Sequence, residues 1–593
     1  MFIESPYKAY IESYNHIWIE TTEELQSVIL EHNQHTHELA LTKLKKGYHA
    51  DIRHIDINMQ NEMFVHINKR YKEHVNIGMI TTTIEFDIKN QSDIELGAIY
   101  SKNCTIFRVW TPVATDVILV LEKNNSKQTY VMNGDGRHYS LELEGDYEGY
   151  CYYYLVCVAG QYNKVVDPYA LNLTANTGAG IIVDQPKLVT EHKFNSNDKS
   201  KMVIYETSVC DFTSDKNCNF THKGKYIGFN QSLDINGKPI GIDYVKELGI
   251  THIQLMPIYD FGSVNEQYKS DNNYNWGYDP VHYNVPEGSY VVGTDTYSRI
   301  EECKQMIDGI KNNDIGVIMD VVYNHVYDAS SFNYNLLVPN YYFRFKPNRE
   351  YSNGSFCGNE VASERAMVRR YIIDTLKTWV NIYGIDGIRI DLMGLMDIET
   401  IRAIENELTA IHPNFIIYGE GWNMESMLTR DKRAAQINAD KLPTVGHFND
   451  DLRNFIKGDN SEYDKIGYIQ GNNDTDSLQV ILDGKALDDE KKYVNEYQLI
   501  NYVSCHDDHT LYDYLKMNES NEQVLTAQII EAYKYVFKAK GIPFIHSGCE
   551  FKRTKEGHKN TYNKSRQLNS IKWNQVMSNE EIINAVKLLI KEK

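Results

Sequence analysis

Apolar positions in the first part of the chain fall in short alternating runs, whereas from residue 202 onward they regroup into compact apolar strands separated by amphipathic stretches. Alternation at period two predicts half-buried strands, and apolar runs interleaved with helical stretches predict a parallel sheet with crossover helices. Residues 1–92 contain Met63-Phe64-Val65-His66-Ile67 and Thr83-Ile84-Glu85-Phe86-Asp87-Ile88, which predict a small, mostly β module. Residues 93–190 carry Thr105-Ile106-Phe107-Arg108-Val109-Trp110, Val117-Ile118-Leu119-Val120-Leu121 and Tyr152-Tyr153-Tyr154-Leu155-Val156, divided by Gly, Asn and Asp turns at the spacing of a β-sandwich. Trp110 lies inside an apolar run and is expected in the core.

Residues 200–593 offer eight strands: Met202–Glu206, His252–Pro257, Gly316–Val321, Gly387–Asp391, Phe415–Gly419, Thr444–Phe448, Leu499–Val503 and Ile542–His546. Eight such strands predict an α/β fold, a (β/α)8 TIM barrel enlarged by loop insertions, preceded by the β modules. The longest insertion, between the third and fourth strands, contains Tyr341-Tyr342-Phe343-Arg344-Phe345. At the end of the chain, Ser578-Asn579-Glu580-Glu581 has capping-box spacing, and Ile582, Ile583, Ala585, Val586, Leu589 and Ile590 follow as a helical apolar stripe.

Composition narrows the function. A net charge of −20 without a Lys/Arg cluster would repel a phosphate backbone, so nucleic acid is not an expected partner. No apolar run is long enough for a membrane span, and Met1-Phe2-Ile3-Glu4-Ser5-Pro6 lacks the basic and apolar segments of a leader, so a soluble chain retained in the cell is expected. Nine scattered cysteines without metal-ligand spacing fit free thiols in the cytoplasm. The 44 tyrosines carry no such argument, because a chain this rich in Asn, Lys and Ile reflects a compositional bias.

Active residues of a TIM barrel stand at the C-terminal ends of its strands, and four ionisable constellations fall there: Asp320–His325, Gly387–Asp391, Tyr418–Trp422 and Val503–Asp508. Arg389 and Asp391 are two apart, so in a strand they share a face, and a guanidinium beside a carboxylate keeps it ionised, the state a nucleophile needs. Glu420 has no adjacent Arg in sequence and precedes Gly421-Trp422, an apolar setting that holds a carboxyl protonated, the state a general acid needs. Two carboxyls so differentiated are the equipment of glycoside hydrolysis. Asp320 lies deeper in its strand, where an orienting role is expected, and Asn324 is placed to hold the loop, or a cation, at the barrel mouth.

These constellations, in this order, together with Tyr274-Asn275-Trp276-Gly277-Tyr278-Asp279-Pro280, resemble the clan of α-glucan-active barrel enzymes that includes α-amylases, and within it the type I pullulanase branch of glycoside hydrolase family 13. His252–Phe261 and Pro286-Glu287-Gly288-Ser289-Tyr290 resemble the same branch, and the likeness runs from about Leu96 to Trp573. Phe107–Pro112 and Val166-Asp167-Pro168-Tyr169-Ala170 are similar to the family 48 carbohydrate-binding sandwich that precedes such barrels. The resemblance implies hydrolysis of α-1,6 branch linkages with retention in pullulan, limit dextrins, amylopectin or glycogen. It makes Asp391 the nucleophile, Glu420 the acid/base and Asp507 the third acid. It places His325 and His506 on the sugar beside the cleaved bond and Tyr278 beneath it, with Trp276, Asp279 and Arg389 in the substrate site. No cofactor or metal ligand is implied, and a calcium requirement is left open, as is the oligomeric state.

The chain departs from that family at Cys210, Cys505, Cys549 and Asp508, and Arg566 and Lys572 replace acidic residues. It ends at Lys593, so the C-terminal β-domain that usually follows the barrel is expected to be absent, leaving an uncovered surface that favours self-association. Two alternatives stand beside hydrolysis: a branching transferase of the same clan, and a catalytically weak glucan-binding protein, against which the intact Asp391, Glu420 and Asp507 argue.

Overall fold

A computed structural model describes residues 5–190, 198–460 and 465–593. Residues 1–4, where the N-terminal leader was sought, lie outside them. The chain forms two compact units: 1–187 with 328–351 and 361–372, and 188–327 with 352–360 and 373–593. Neither unit is a continuous piece of chain, which an expectation drawn from pattern changes alone did not anticipate.

The first unit contains an eight-stranded sheet built from strands between Lys8 and Ile77. Its neighbours are antiparallel except Lys8–Ser13 and Tyr71–Ile77, which run parallel. The run Thr83–Ile88, read above as a strand, is a helix, Ile84–Asn90. The Thr83 side chain accepts the amide hydrogen of Phe86, and Glu85 and Asp87 sit in the first turn, where the helix dipole favours acids. Alternation alone cannot outweigh that cap. Two further sheets face each other through rings such as Phe107 and Tyr152, 5.5 Å apart. Trp110 is a core residue as expected: 2% exposed, it donates from Nε1 to Asn90 O and lies 5.0 Å from the Tyr341 ring. That contact explains why Tyr341 and its neighbours cluster with this unit.

The second unit is a closed barrel of eight parallel strands: β1 Ile204–Thr207, β2 His252–Leu255, β3 Gly316–Val321, β4 Gly387–Ile390, β5 Ile416–Gly419, β6 Gly446–Phe448, β7 Leu499–Asn501 and β8 Ile542–His546. All eight expected strands are there, several trimmed at their ends. Every strand residue is buried, which is why the sequence shows continuous apolar runs rather than alternation. Ile204, Ile318, Ile416, Phe448, Ile500 and Phe544 fill the interior. The final helix α1, Glu580–Glu592, buries Ile582, Ile583 and Val586. Its expected capping box is absent: the N-cap is Asn579, one residue later than the Ser578 that box requires, and the Asn579 side chain turns back to Gln575 O instead of capping the amides.

Candidate active site

The loops leaving β3, β4, β5 and β7 bring Asn324, His325, Asp391, Glu420, His506 and Asp507 to one mouth of the barrel. A pocket of about 540 Å³ opens there, and Trp276, Tyr278 and Asp279 also line it. Arg389, on β4, forms the floor behind it. Its Nη1 lies 2.9 Å from both Asp320 Oδ1 and Asp391 Oδ1, and its Nη2 lies 2.7 Å from Glu420 Oε1. The guanidinium is 1% exposed, so these ion pairs are screened little by water.

One element of the sequence reading is corrected here. Glu420 does have an arginine beside it, supplied across the sheet by the register pair of β4 and β5. Burial nevertheless raises its pKa to about 7, with Arg389 pulling it down and Asp391 and Asp507 adding to the rise. The Glu420 carboxylate also accepts the Leu392 amide at 3.1 Å, and Leu392 holds a left-handed φ of 41° to point it there. The chain must pass close to β6 after Glu420: a Cβ on Gly421 would stand 2.1 Å from His447 Nδ1. Asn324 holds Asp391 from the other side, donating to its backbone oxygen and to Oδ2, each at 2.8 Å.

Beneath these groups lies a buried polar layer. Gln254 donates to Glu206 at 3.2 Å and accepts from the Tyr418 hydroxyl, while Tyr278 donates to Asp320 Oδ2 at 2.8 Å. Burial lifts the Asp320 pKa to about 7 against the opposing pull of Arg389. Placement in this layer is what an orienting residue requires. His506 donates to Glu206 at 2.7 Å and lies 3.6 Å from Asp507. Burial disfavours its charge, yet Asp507 and Glu206 together raise its pKa to about 9, so it is a cation at neutral pH. The Asp507 carboxylate itself is about half exposed, facing the pocket.

The aromatic residues are placed less simply than expected. The His506 ring stacks on Tyr278 at 4.7 Å and 17°, so one face of that platform is already occupied. Trp276 is 4% exposed, edge-on to His506 at 5.0 Å, with Lys555 Nζ 4.7 Å from its ring centroid; it is a back wall rather than an open platform. The ring nitrogens of His325 lie 2.8 Å from Tyr278 O and 2.6 Å from Asn324 Oδ1; a neutral ring donates to one of these, and a sugar hydroxyl must compete for the same nitrogens. Burial lowers the His325 pKa. Asp279 lines the pocket with its pKa raised by burial to about 6.

The string Tyr274–Pro280 is anchored outside the pocket. Tyr274 donates to Asp211 at 2.7 Å, and Arg553 pairs with the same carboxylate at 2.9 Å. Sequence reasoning missed Glu206, Gln254, Tyr327, Asn560 and Tyr562. Polar residues inside the apolar runs of β1 and β2 were readable signs of Glu206 and Gln254; Tyr327, Asn560 and Tyr562 sit in loops that carry no pattern. Among the described residues, no three His, Cys, Asp or Glu side chains are grouped to hold a metal ion.

Replacing Tyr278 by Ala removes a ring contact with His506 and the hydroxyl on Asp320 together, so kcat/KM is expected to fall roughly ten- to a hundredfold. Steady-state kinetics on pullulan check this, and unchanged kinetics would remove Tyr278 from the site.

Comparison with known proteins bears on the fold and the family. Residues 95–170 match the carbohydrate-binding module 48 (isoamylase N-terminal domain) model, and residues 196–352 match the α-amylase catalytic domain model. A pullulanase of Bacillus subtilis (strain 168) is 36% identical over 540 residues, covering 89% of this chain and 75% of that protein. The crystal structure of a type I pullulanase from the same strain, complexed with maltose, superposes with a TM-score of 0.94 at 32% identity, covering 100% of this chain and 86% of that one. A pullulanase from Anoxybacillus sp. LM18-11, complexed with maltotriose, gives a TM-score of 0.94 at 33% identity, covering 99% and 87%.

Proposed function

Because the chain belongs to the type I pullulanases, α-1,6-glucan debranching hydrolases with a TIM barrel and a family 48 carbohydrate-binding module, we propose that Asp391 is its nucleophile and Glu420 its acid/base. The observation that carries this is the single buried guanidinium of Arg389 gripping both carboxyls at the ends of neighbouring strands.

In the first step Asp391 attacks the anomeric carbon while Glu420 gives its proton to the departing O6 of the main chain. A glycosyl ester forms, and the main chain leaves with a restored hydroxyl. In the second step Glu420, now a carboxylate, takes a proton from water, whose oxygen attacks the same carbon and releases Asp391. Two inversions give net retention, which suits two carboxyls close enough to share one guanidinium. Arg389 pairs with the Asp391 carboxylate at 2.9 Å and holds it in place; burial keeps Glu420 protonated. Asp507 and the His506 cation are assigned to the hydroxyls of the distorted sugar, and Tyr278 to its apolar face. Every proton and electron pair has a side chain to carry it, so the reading calls on no cofactor, and calcium has no assigned role. The substrate is a branched α-glucan. The nine cysteines, none of them paired, support a reducing compartment and hence the cytoplasm.

The assignment is tested by the pH profile of kcat/KM. A general acid works only while protonated, so a Glu420 pKa of about 7 predicts an alkaline limb centred near pH 7, falling tenfold per pH unit above it. A profile flat to pH 9 would take that role from Glu420. Reducing-end counts address the branching alternative, since a transferase makes branches without releasing them in step with hydrolysis.

A further inference from the structure

At the rim of the pocket, the loop 352–360 is tied down along its length. Gly358 donates to the Asn353 side chain at 2.6 Å, Ser355 to Asn359 O at 2.6 Å, and Gly354 to Glu360 at 3.2 Å. Asn359 clamps the loop to the segment next to His325, accepting from Val326 N at 2.9 Å and donating to Val326 O at 2.8 Å. At the tip of this stiff loop stands Phe356, with φ of 61° and 82% of its surface exposed.

That combination is costly in the free protein. A left-handed φ strains any residue with a Cβ, and glycine would take the position without strain. A strained large apolar residue is normally retained because its side chain is buried, and this one is not. The next residue, Cys357, lines the same pocket as Asp391 and Glu420. The ring is therefore held out, on a rigid support, beside the place where substrate enters. Aromatic faces stack on the C–H faces of glucosyl rings, which are apolar there and hydroxylated at their edges.

We propose that Phe356 is a substrate-binding residue that stacks on a glucosyl unit of the bound branched glucan at the pocket rim, and that its strain is offset only when substrate is present. This rests on the debranching assignment. The ring contributes affinity, so its removal acts on KM and not on the chemical step.

The test compares wild type, Phe356→Gly, Phe356→Asn and Phe356→Tyr on pullulan. Gly and Asn accept the left-handed conformation, so their melting temperatures are expected to equal or exceed that of wild type, while KM rises roughly three- to tenfold, the worth of an aromatic contact. Tyr keeps the ring and is expected to keep the wild-type KM. A KM for Phe356→Gly equal to that of wild type overturns the proposal, as does a joint fall of kcat and melting temperature that Tyr does not rescue. A wild-type chain that fails to hydrolyse pullulan would instead sink the debranching assignment, so the two failures are distinct.

Discussion

Replacing Asp391 by Asn is expected to lower pullulan hydrolysis by about 10⁴-fold or more while the protein stays folded, because the amide keeps the shape of the nucleophile and loses its charge. Its contacts accept the exchange in part: Arg389 reaches Oδ1 and Asn324 Oδ2, so the single amide oxygen keeps one of these donors and the other loses its acceptor. Glu420→Gln removes the proton donor and is expected to cost about 10²–10⁴-fold on the same substrate. Measurement needs purified variants, a reducing-end assay, and circular dichroism to confirm folding. Appreciable turnover by Asp391→Asn would mean that the attacking group lies elsewhere in the pocket.

Arg389→Met should be the most damaging single change to the fold of the site. The guanidinium is buried and neutralises Asp320, Asp391 and Glu420 at once. Removing it leaves three clustered carboxyls without their direct ion-pair partner, and breaking a buried ion pair typically costs about 3–5 kcal/mol. The sign of the pH effect follows from linkage. With Arg389 present, burial already raises Glu420 and Asp320 to about 7, and without it both rise further. A carboxyl whose folded pKa exceeds its unfolded value binds its proton more tightly in the folded state. Its favourable contribution is full below the unfolded pKa and is lost as pH rises through the folded one. The loss of stability in Arg389→Met should therefore be smallest near pH 5 and grow toward pH 8, as read by thermal melts across that range. Activity falls with it, because Asp391 and Glu420 lose the guanidinium that holds both carboxyls in place. A variant as stable as wild type at pH 8 would show that the three carboxyls do not depend on this guanidinium.

The barrel was readable because its eight strands are buried on both faces and so appear as largely apolar runs, four of them followed by ionisable groups that have no reason to follow an apolar run except chemistry. Asp391 and Glu420 could be singled out on that ground. Their shared contact with Arg389 could not, since it depends on β4 lying beside β5 in a given register, a relation between residues 31 positions apart that no local pattern encodes. The helix at Ile84 was hidden by alternation and revealed only by the Thr83 cap. Loop residues such as Tyr327, Asn560 and Tyr562 reach the pocket by the path of the backbone, and Phe356 draws attention through a dihedral angle, which a sequence does not display. The occupied face of Tyr278 and the close contacts of the His325 ring are likewise properties of packing.

The most direct measurement is the product profile of the purified chain on pullulan, resolved by anion-exchange chromatography beside a reducing-end count, with unbranched amylose as the control. Cleavage at α-1,6 linkages predicts that maltotriose accumulates, that reducing ends rise in step with it, and that amylose is left intact. Absence of maltotriose, or degradation of amylose while pullulan remains whole, would contradict the account.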